Sequence, residues 1–198
     1  MIKNIVESVV KNYLRERYFK IKETEFNRIN EMFFSENINE GNSEKRNEVI
    51  NLIKNNSWQE NVSGEEFKTT LMKSKHPEML TDYSVGELNN MDLYKIEGFD
   101  IGYALKDHGN KPKSEIVAVF NNEPDVSGVG EELMRSAIRN GGCYLDHFDS
   151  NKLTSLYSTM GFEEISRTGY DPEYDPNGSF KKKYGELDVV YRKHKNCK

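Results

Sequence analysis

Two groups of residues between Ser127 and Asp149 have types and spacings suited to chemistry. Gly128 and Gly130 stand just ahead of a helical pattern, where glycine lets the backbone approach an anion closely. The amides and dipole of a helix N-terminus favour a phosphate there, although an ordinary tight strand-to-helix turn fits the same residues. Alternation along a strand puts His147 and Asp149 on one face. The pair suits a base with its orienting carboxylate, or a histidine that caps the strand end.

A mixed sheet is predicted to position these residues. Alternating apolar residues over 93–105, interrupted by Gly98, predict two antiparallel strands, and the apolar run Ile116–Phe120 predicts a strand buried on both faces. The pattern continues with a helix over 129–138 that ends at Gly141 and Gly142, a strand over 143–148, a helix over 152–160, and strands over 163–167 and 188–192. A strand, helix, strand crossover implies a parallel pair in the middle of the sheet.

The first 90 residues are predicted to be mostly helical. Residues 1–76 contain no proline and only two glycines. Apolar residues at helical spacing predict helices over Ile2–Leu14, around Phe26–Phe33 and over Val49–Ile53, and capping boxes predict helix starts at Ser63 and Ser84. The chain therefore divides into a helical segment, 1–75, and a mixed domain, 76–198. The apolar stripe of the first helix fits a partner chain as well as the chain's own core.

Composition excludes several classes of function. The chain has 198 residues and a net charge of -5, which argues against nonspecific nucleic-acid binding. No apolar run is long enough to span a membrane, and no signal-peptide pattern opens the sequence, so we expect a soluble protein of the cytoplasm. Cys143 and Cys197 are far apart and lack metal-ligand spacing, which predicts neither a disulfide nor a zinc site. The acidic stretch 171–178 lacks the spacing of a calcium loop, so no metal is expected.

The run from Ser127 to Phe162 resembles the cofactor-binding half of the GNAT acyltransferase superfamily. In that family a Q/R-x-x-G-x-G/A loop holds the pyrophosphate of acetyl-CoA, and a Tyr-x-x-x-Gly-Phe motif ends a later helix; Asp125–Gly130 and Tyr157–Phe162 are similar to them. The resemblance implies acetyl-CoA as cofactor. It implies a binding set of Val126, Ser127, Gly128, Val129 and Gly130, with Ser150 and Asn151 where the family often has an asparagine. Asp125 departs from the family pattern, because it puts an anion beside the expected diphosphate.

From about His76 to Arg192 the chain more closely resembles a GNAT-like domain of bacteriophage and mobile-element proteins. The shared motifs are His76-Pro77, Leu80–Tyr83, Val117–Asn121, Asp146–Asp149, the Tyr157 motif and Leu187–Tyr191. This resemblance implies an α+β fold with a GNAT-like mixed, mostly antiparallel sheet and flanking helices, here preceded by the N-terminal helical segment. It also implies a phage or mobile-element origin and the cytoplasm of a bacterial host.

The resemblance implies transfer of an acetyl group from acetyl-CoA to an amine of a small molecule or protein. Tyr157 would protonate the leaving thiolate, and Glu115 or His147 would deprotonate the amine. Tyr157 fits a core aromatic equally well, and Glu115 a solvated strand end. The alternative is a GNAT-like fold without catalysis that binds a host-defence or virion component, with residues 1–75 as its contact surface. Asp125 favours the alternative, and the intact glycine and Tyr157 patterns favour the enzyme.

Overall fold

The computed structural model describes residues 40–74, 76–107, 114–175 and 177–197. The helices predicted over Ile2–Leu14 and around Phe26–Phe33 lie outside these residues. The chain divides into two units, Met1–Asn37 and Ile38–Lys198, and all described residues belong to the second. The predicted boundary between residues 75 and 76 falls inside that unit, because helices on both sides of it bury side chains in cores shared with the sheet.

A six-stranded sheet forms the centre of the described fold. Its strands are β1 (Asp92–Lys95), β2 (Ile101–Lys106), β3 (Ser114–Asn121), β4 (Gly142–Phe148), β5 (Phe162–Thr168) and β6 (Val189–His194). They lie in the order β1-β2-β3-β4-β6-β5. The β3–β4 pair is parallel, and the other neighbouring pairs are antiparallel. The predicted α+β class, with a mixed and mostly antiparallel sheet and a central parallel pair, is confirmed.

Helices flank the sheet. They are α1 (Glu40–Lys54), α2 (Gly64–Leu71), α3 (Val85–Leu88), α4 (Gly130–Arg139), α5 (Asn151–Thr159) and α6 (Ser179–Tyr184). The Ser63 side chain caps α2, and Ser84 forms a full capping box with Glu87 at α3, as predicted. Helix α6 was not predicted, because its lysine-rich sequence is typical of a solvated rim. It forms because the Asp175 carboxylate accepts the amides of Phe180 and Lys181 in its first turn.

Each face of the sheet carries its own apolar core, because alternate residues of a strand point to opposite faces. On face 1, Tyr103, Leu105, Ile116 and Leu145 pack with side chains of α1, α4 and α5. On face 2, Ala104, Val117 and Phe120 pack with side chains of α2 and α3. Helix α6 also lies on face 2, where Phe180 contacts Phe148 with ring centroids 4.7 Å apart.

A disulfide joins Cys143 to Cys197, so the prediction that the two cysteines stay unpaired was wrong. Their sequence separation of 54 residues is large, but Cys143 is the second residue of β4, and the neighbouring β6 ends at His194, shortly before Cys197. The pairing of Tyr144 with Lys193 brings the two cysteines close, with their Cα atoms 5.9 Å apart. The register between β4 and β6 therefore determines that these two cysteines can form a disulfide.

Thiol chemistry tests this disulfide. Iodoacetamide added at cell lysis under denaturing conditions should label no cysteine, whereas prior reduction should allow labelling of Cys143 and Cys197. A Cys143→Ser variant should lose up to about 4 kcal/mol in free energy of unfolding, because the bond closes a 54-residue loop. Under dithiothreitol the variant and the parent should unfold at nearly the same denaturant concentration. Complete labelling without reduction would show a reduced pair, as the predicted cytoplasmic location requires.

Candidate functional site

An opening between β3 and β4 is the centre of the candidate site. The two strands pair only at Ser114 with Gly142 and Glu115 with Tyr144, and they run on unpaired beyond these residues. On the other side of β3 the register with β2 shifts, and Ala118 takes a φ of 49°. A left-handed alanine costs conformational energy and is found where a bulge bends a strand. Backbone groups of β3 and β4 are thus left without strand partners along the opening.

The predicted phosphate loop lies at the end of β3. Val126 and Val129 are buried and hold the loop, and Gly128 takes the left-handed conformation with a φ of 69°. Gly130 is the first residue of α4, and a Cβ there would contact nothing within 4 Å. No side chain caps this helix, so its first amides are left for another acceptor. The loop geometry suits the anion-binding role that the sequence predicts.

A cation from another element joins this loop. The Nε of Arg46, on α1, donates a hydrogen bond to the Ser127 carbonyl at 3.0 Å. Its guanidinium lies against Gly128, with Nε 3.2 Å from where a Cβ would stand. The structure records no ion pair for Arg46 with any residue that it describes. Asp125, which the sequence marked as a repulsive anion, has its side chain exposed to solvent.

A neighbouring ion pair anchors α1 to the same loop. Lys45 contacts Glu123 at 2.8 Å, and Glu123 also accepts the Asp100 amide at 2.9 Å. Burial acts to raise the pKa of Glu123, but the Asp100 amide and Lys45 more than offset it, so the pKa lies below its ordinary value. The charged Glu123 therefore fixes the end of α1 that carries Arg46.

The other two predicted cofactor residues begin the next helix. Ser150 is the N-cap of α5, and its hydroxyl accepts the Leu153 amide at 3.3 Å. Asn151 is the exposed first residue of α5. Because β3 and β4 are parallel, α4 and α5 both begin at the edge of the sheet where the two strands diverge. The structure therefore brings Ser150 and Asn151 to the same edge as the glycine loop.

Tyr157 packs beside the opening on face 1. Its ring lies 5.0 Å from the His147 ring and 6.1 Å from the Phe162 ring, measured between centroids. Burial and then the Asp146 carboxylate raise the pKa of Tyr157 to about 12, while Arg192 acts in the opposite direction. Among the described residues, none is recorded as a hydrogen-bond partner of its hydroxyl. The phenol is thus protonated at neutral pH and has a proton to donate.

His147 has both ring nitrogens engaged. Its Nδ1 donates to the Phe148 carbonyl at 2.8 Å, and its Nε2 accepts from Arg192 Nε at 2.9 Å. Burial, followed by the Arg192 charge, pushes the pKa of His147 below its ordinary value. Asp149 does not orient it, because that carboxylate binds Thr154 and Arg167. These contacts leave no ring nitrogen for the base role predicted from the sequence.

Two carboxylates lie together on face 2. Glu115 is the last β3 residue paired with β4, and alternation places Asp146 on the same face of β4 as Tyr144, the partner of Glu115. Removal of water around the Asp146 carboxyl, and then the Glu115 charge, raise the pKa of Asp146. A carboxylate with a raised pKa is a stronger base. After burial, the Asp146 charge is the next cause that raises the pKa of Tyr157, which lies on the other face of the sheet.

Sequence reasoning missed three residues of this site. Arg46 lies about 80 residues before the loop that it contacts, and no motif marks it. Asp146 begins the Asp146–Asp149 motif of the resemblance but received no catalytic role, because its pKa depends on neighbours from other strands. Arg192 had a usable signal: alternation from the buried Val190 predicts that its side chain points inward.

No protein-family model and no curated protein matches the sequence. Among solved structures, the chain is similar to N-acetylglutamate synthase from Neisseria gonorrhoeae, which was crystallised in complex with coenzyme A and L-arginine. The likeness has 17% sequence identity and a TM-score of 0.41, and it covers 65% of this chain. The chain spans only 31% of the length of that protein.

The residues that the structure describes carry neither a membrane-spanning helix nor a cluster of metal ligands. None of the helices there is both long enough and apolar enough to cross a bilayer. Nor do His, Cys, Asp or Glu side chains gather there in groups of three or more that would hold a metal ion.

Proposed function

We propose that this chain is an acyl-CoA-dependent N-acyltransferase that moves an acetyl group from acetyl-CoA to an amine. One arrangement carries the proposal: the uncapped start of α4 and the Arg46 guanidinium stand where β3 and β4 diverge. An anion-binding loop at this edge would hold the diphosphate and direct the rest of the molecule along the opening. The resemblance to GNAT enzymes seen in the sequence agrees with this placement.

The loop residues would bind acetyl-CoA through backbone and charge. Amides of the segment from Ser127 to Gly130 would donate to phosphate oxygens, while buried Val126 and Val129 keep the segment in place. Arg46 would take the place of the Gln or Arg side chain that the GNAT loop supplies from its own first position, and it adds a positive charge there. Because Asp125 is exposed, its carboxylate can stay in water while the loop binds an anion. An exposed Asp125 is thus compatible with acetyl-CoA binding at this loop.

The groups along the opening divide into an acid and a base. Bound acetyl-CoA would supply a thioester, whose cleavage by an amine forms a C–N bond and releases a thiolate. Tyr157 would give its phenolic proton to that sulfur. Asp146, with Glu115 beside it, would take the proton that the amine loses, and the raised pKa of Asp146 suits this role. Unpaired backbone amides near Ala118 would hold the acyl oxygen.

Calorimetry tests the binding step directly. Acetyl-CoA should bind with a Kd below about 1 mM, and Gly130→Arg should abolish the heat. The arginine side chain would fill the anion position, yet the open space around Gly130 leaves the fold intact. Gly86→Arg is the matched control, because Gly86 also lies in the first turn of a helix, α3 on face 2, and a Cβ there would meet only the Ser84 hydroxyl at 4.0 Å. Absence of heat with the parent at millimolar acetyl-CoA would refute the proposal and favour the noncatalytic binding protein.

Arg46 should contribute affinity through charge. Arg46→Met should raise the Kd for acetyl-CoA about tenfold, because a charge-assisted hydrogen bond contributes about 1.5 kcal/mol or more. The effect should persist for acetyl-3′-dephospho-CoA, which keeps the diphosphate, and should disappear for acetyl-pantetheine, which lacks it. Arg139→Met removes the same charge from the opposite end of α4 and should leave the Kd unchanged. If Arg46→Met and Arg139→Met bind acetyl-CoA with the same Kd, Arg46 does not contribute to the binding site.

Tyr157 should act on turnover rather than on binding. Tyr157→Phe should lower kcat about 100-fold, since it removes the proton donor, while the Kd for acetyl-CoA changes less than about twofold. The ring packing against His147 and Phe162 is retained, so the melting temperature should hold. Proportional losses of kcat and affinity would instead assign Tyr157 a packing role.

A further inference from the structure

Arg192 is a buried cation without a buried anion. Its residue surface is 4% exposed, and no carboxylate of the described residues lies within ion-pair distance. Transfer of a charged group into a protein interior is costly unless hydrogen bonds or an opposite charge offset the loss of water. A hydrophobic residue would fill the same position on β6 at lower cost. The hydrogen bonds of Arg192 therefore indicate what its charge does.

Those hydrogen bonds go to both sides of Tyr157. Arg192 Nε donates to His147 Nε2 at 2.9 Å, and the His147 ring packs against the Tyr157 ring. Arg192 Nη1 donates to the hydroxyl of Ser158, the residue after Tyr157 on α5, at 3.1 Å. It also donates to the Phe162 carbonyl at 3.1 Å. One guanidinium thus ties together β4, α5 and the start of β5 around a single phenol.

We propose that Arg192 is the positioning residue of the acyl-transfer site, holding His147 as a neutral Nδ1–H imidazole and, with Ser158, fixing the Tyr157 phenol beside the β3–β4 opening. This inference rests on the proposed function for its catalytic consequence. The contacts that define it are independent of any ligand. In this arrangement the His147 ring packs against the Tyr157 ring and does not act as a base. The carboxylates on face 2 take the proton that the amine loses.

The groups around His147 determine how it titrates. Arg192 on β6 and Arg167 on β5 disfavour a second cation, Asp149 after β4 favours one, and Tyr157 on α5 is neutral. Protonation at Nε2 would also break the bond from Arg192. Burial of the ring, together with the Arg192 charge, holds the folded-state pKa of His147 below its ordinary value of 6.5. Its contribution to stability is therefore complete above about pH 6.5 and is lost as pH falls toward the folded-state pKa.

Nitrogen-15 NMR of the His147 ring tests this arrangement in the absence of acetyl-CoA, because it reports the tautomer and the pKa of the imidazole. In the parent, His147 should appear as the Nδ1–H tautomer with a pKa below 6.5, its signal assigned by its absence from a His147→Gln spectrum. Arg192→Gln keeps a donor but removes the charge, and it should raise the His147 pKa. Arg192→Lys keeps the charge but loses the planar guanidinium that donates to several acceptors at once. The His147 pKa should therefore stay low, while the imidazole should begin to exchange between its two neutral tautomers. An unchanged His147 tautomer and pKa in both variants would overturn the proposal.

Kinetics test the consequence for Tyr157. Arg192→Gln should lower kcat about tenfold with the KM for acetyl-CoA within about twofold, and it should lower kcat no further in a Tyr157→Phe background, because both changes act on one proton transfer. Normal kcat in a folded Arg192→Gln protein would refute the positioning role. If the parent itself transfers no acetyl group, the proposed function fails, and the NMR result alone decides whether Arg192 holds His147. Arg192→Lys serves both measurements if the glutamine variant does not fold.

Discussion

β3 and β4 are parallel strands held together at only one end, and the rest of the candidate site depends on that partial pairing. Parallel strands need a crossover, which here is α4, and their following elements begin at the same edge of the sheet. The strands diverge after Glu115 and Tyr144, which opens a gap at the edge where α4 and α5 begin. The bulge at Ala118 lets β3 stay paired with β2 while it bends away from β4.

The charged side chains around this gap differ in how far they lie from solvent. At the rim, Arg46 and Asp125 keep access to water, so their charges add to anion binding or stay solvated at little cost. Along the strands, surrounding protein atoms and then the Glu115 charge raise the pKa of Asp146, although part of its residue surface stays exposed to solvent. Below them Arg192 is fully buried and bound to His147. The sheet thus separates a cation at the rim, proposed to bind an anion, from a buried cation, proposed to position Tyr157.

Much of the scaffold was predictable because local patterns specify it. The strands, the capped helices at Ser63 and Ser84 and the turn at Gly98 follow from periodicity and from residues with special backbone preferences. Helix α6 was missed because an acidic side chain before it, Asp175, starts it through hydrogen bonds that the lysine run does not show. The Cys143–Cys197 bond was missed because sequence distance does not measure distance across neighbouring strands.

The sequence by itself determined the element types, the α+β class, and the positions of the glycine loop and Tyr157, because each depends on residues close together along the chain. Only the tertiary structure decided which charges meet. Arg46 contacts the Gly128 loop from α1, and the charge of Glu115 on β3 acts to raise the pKa of Asp146 on the neighbouring β4. Arg192 takes the nitrogen of His147 that a base would need. These pairings depend on strand register and helix docking, which bring together residues tens of positions apart and which no local pattern encodes.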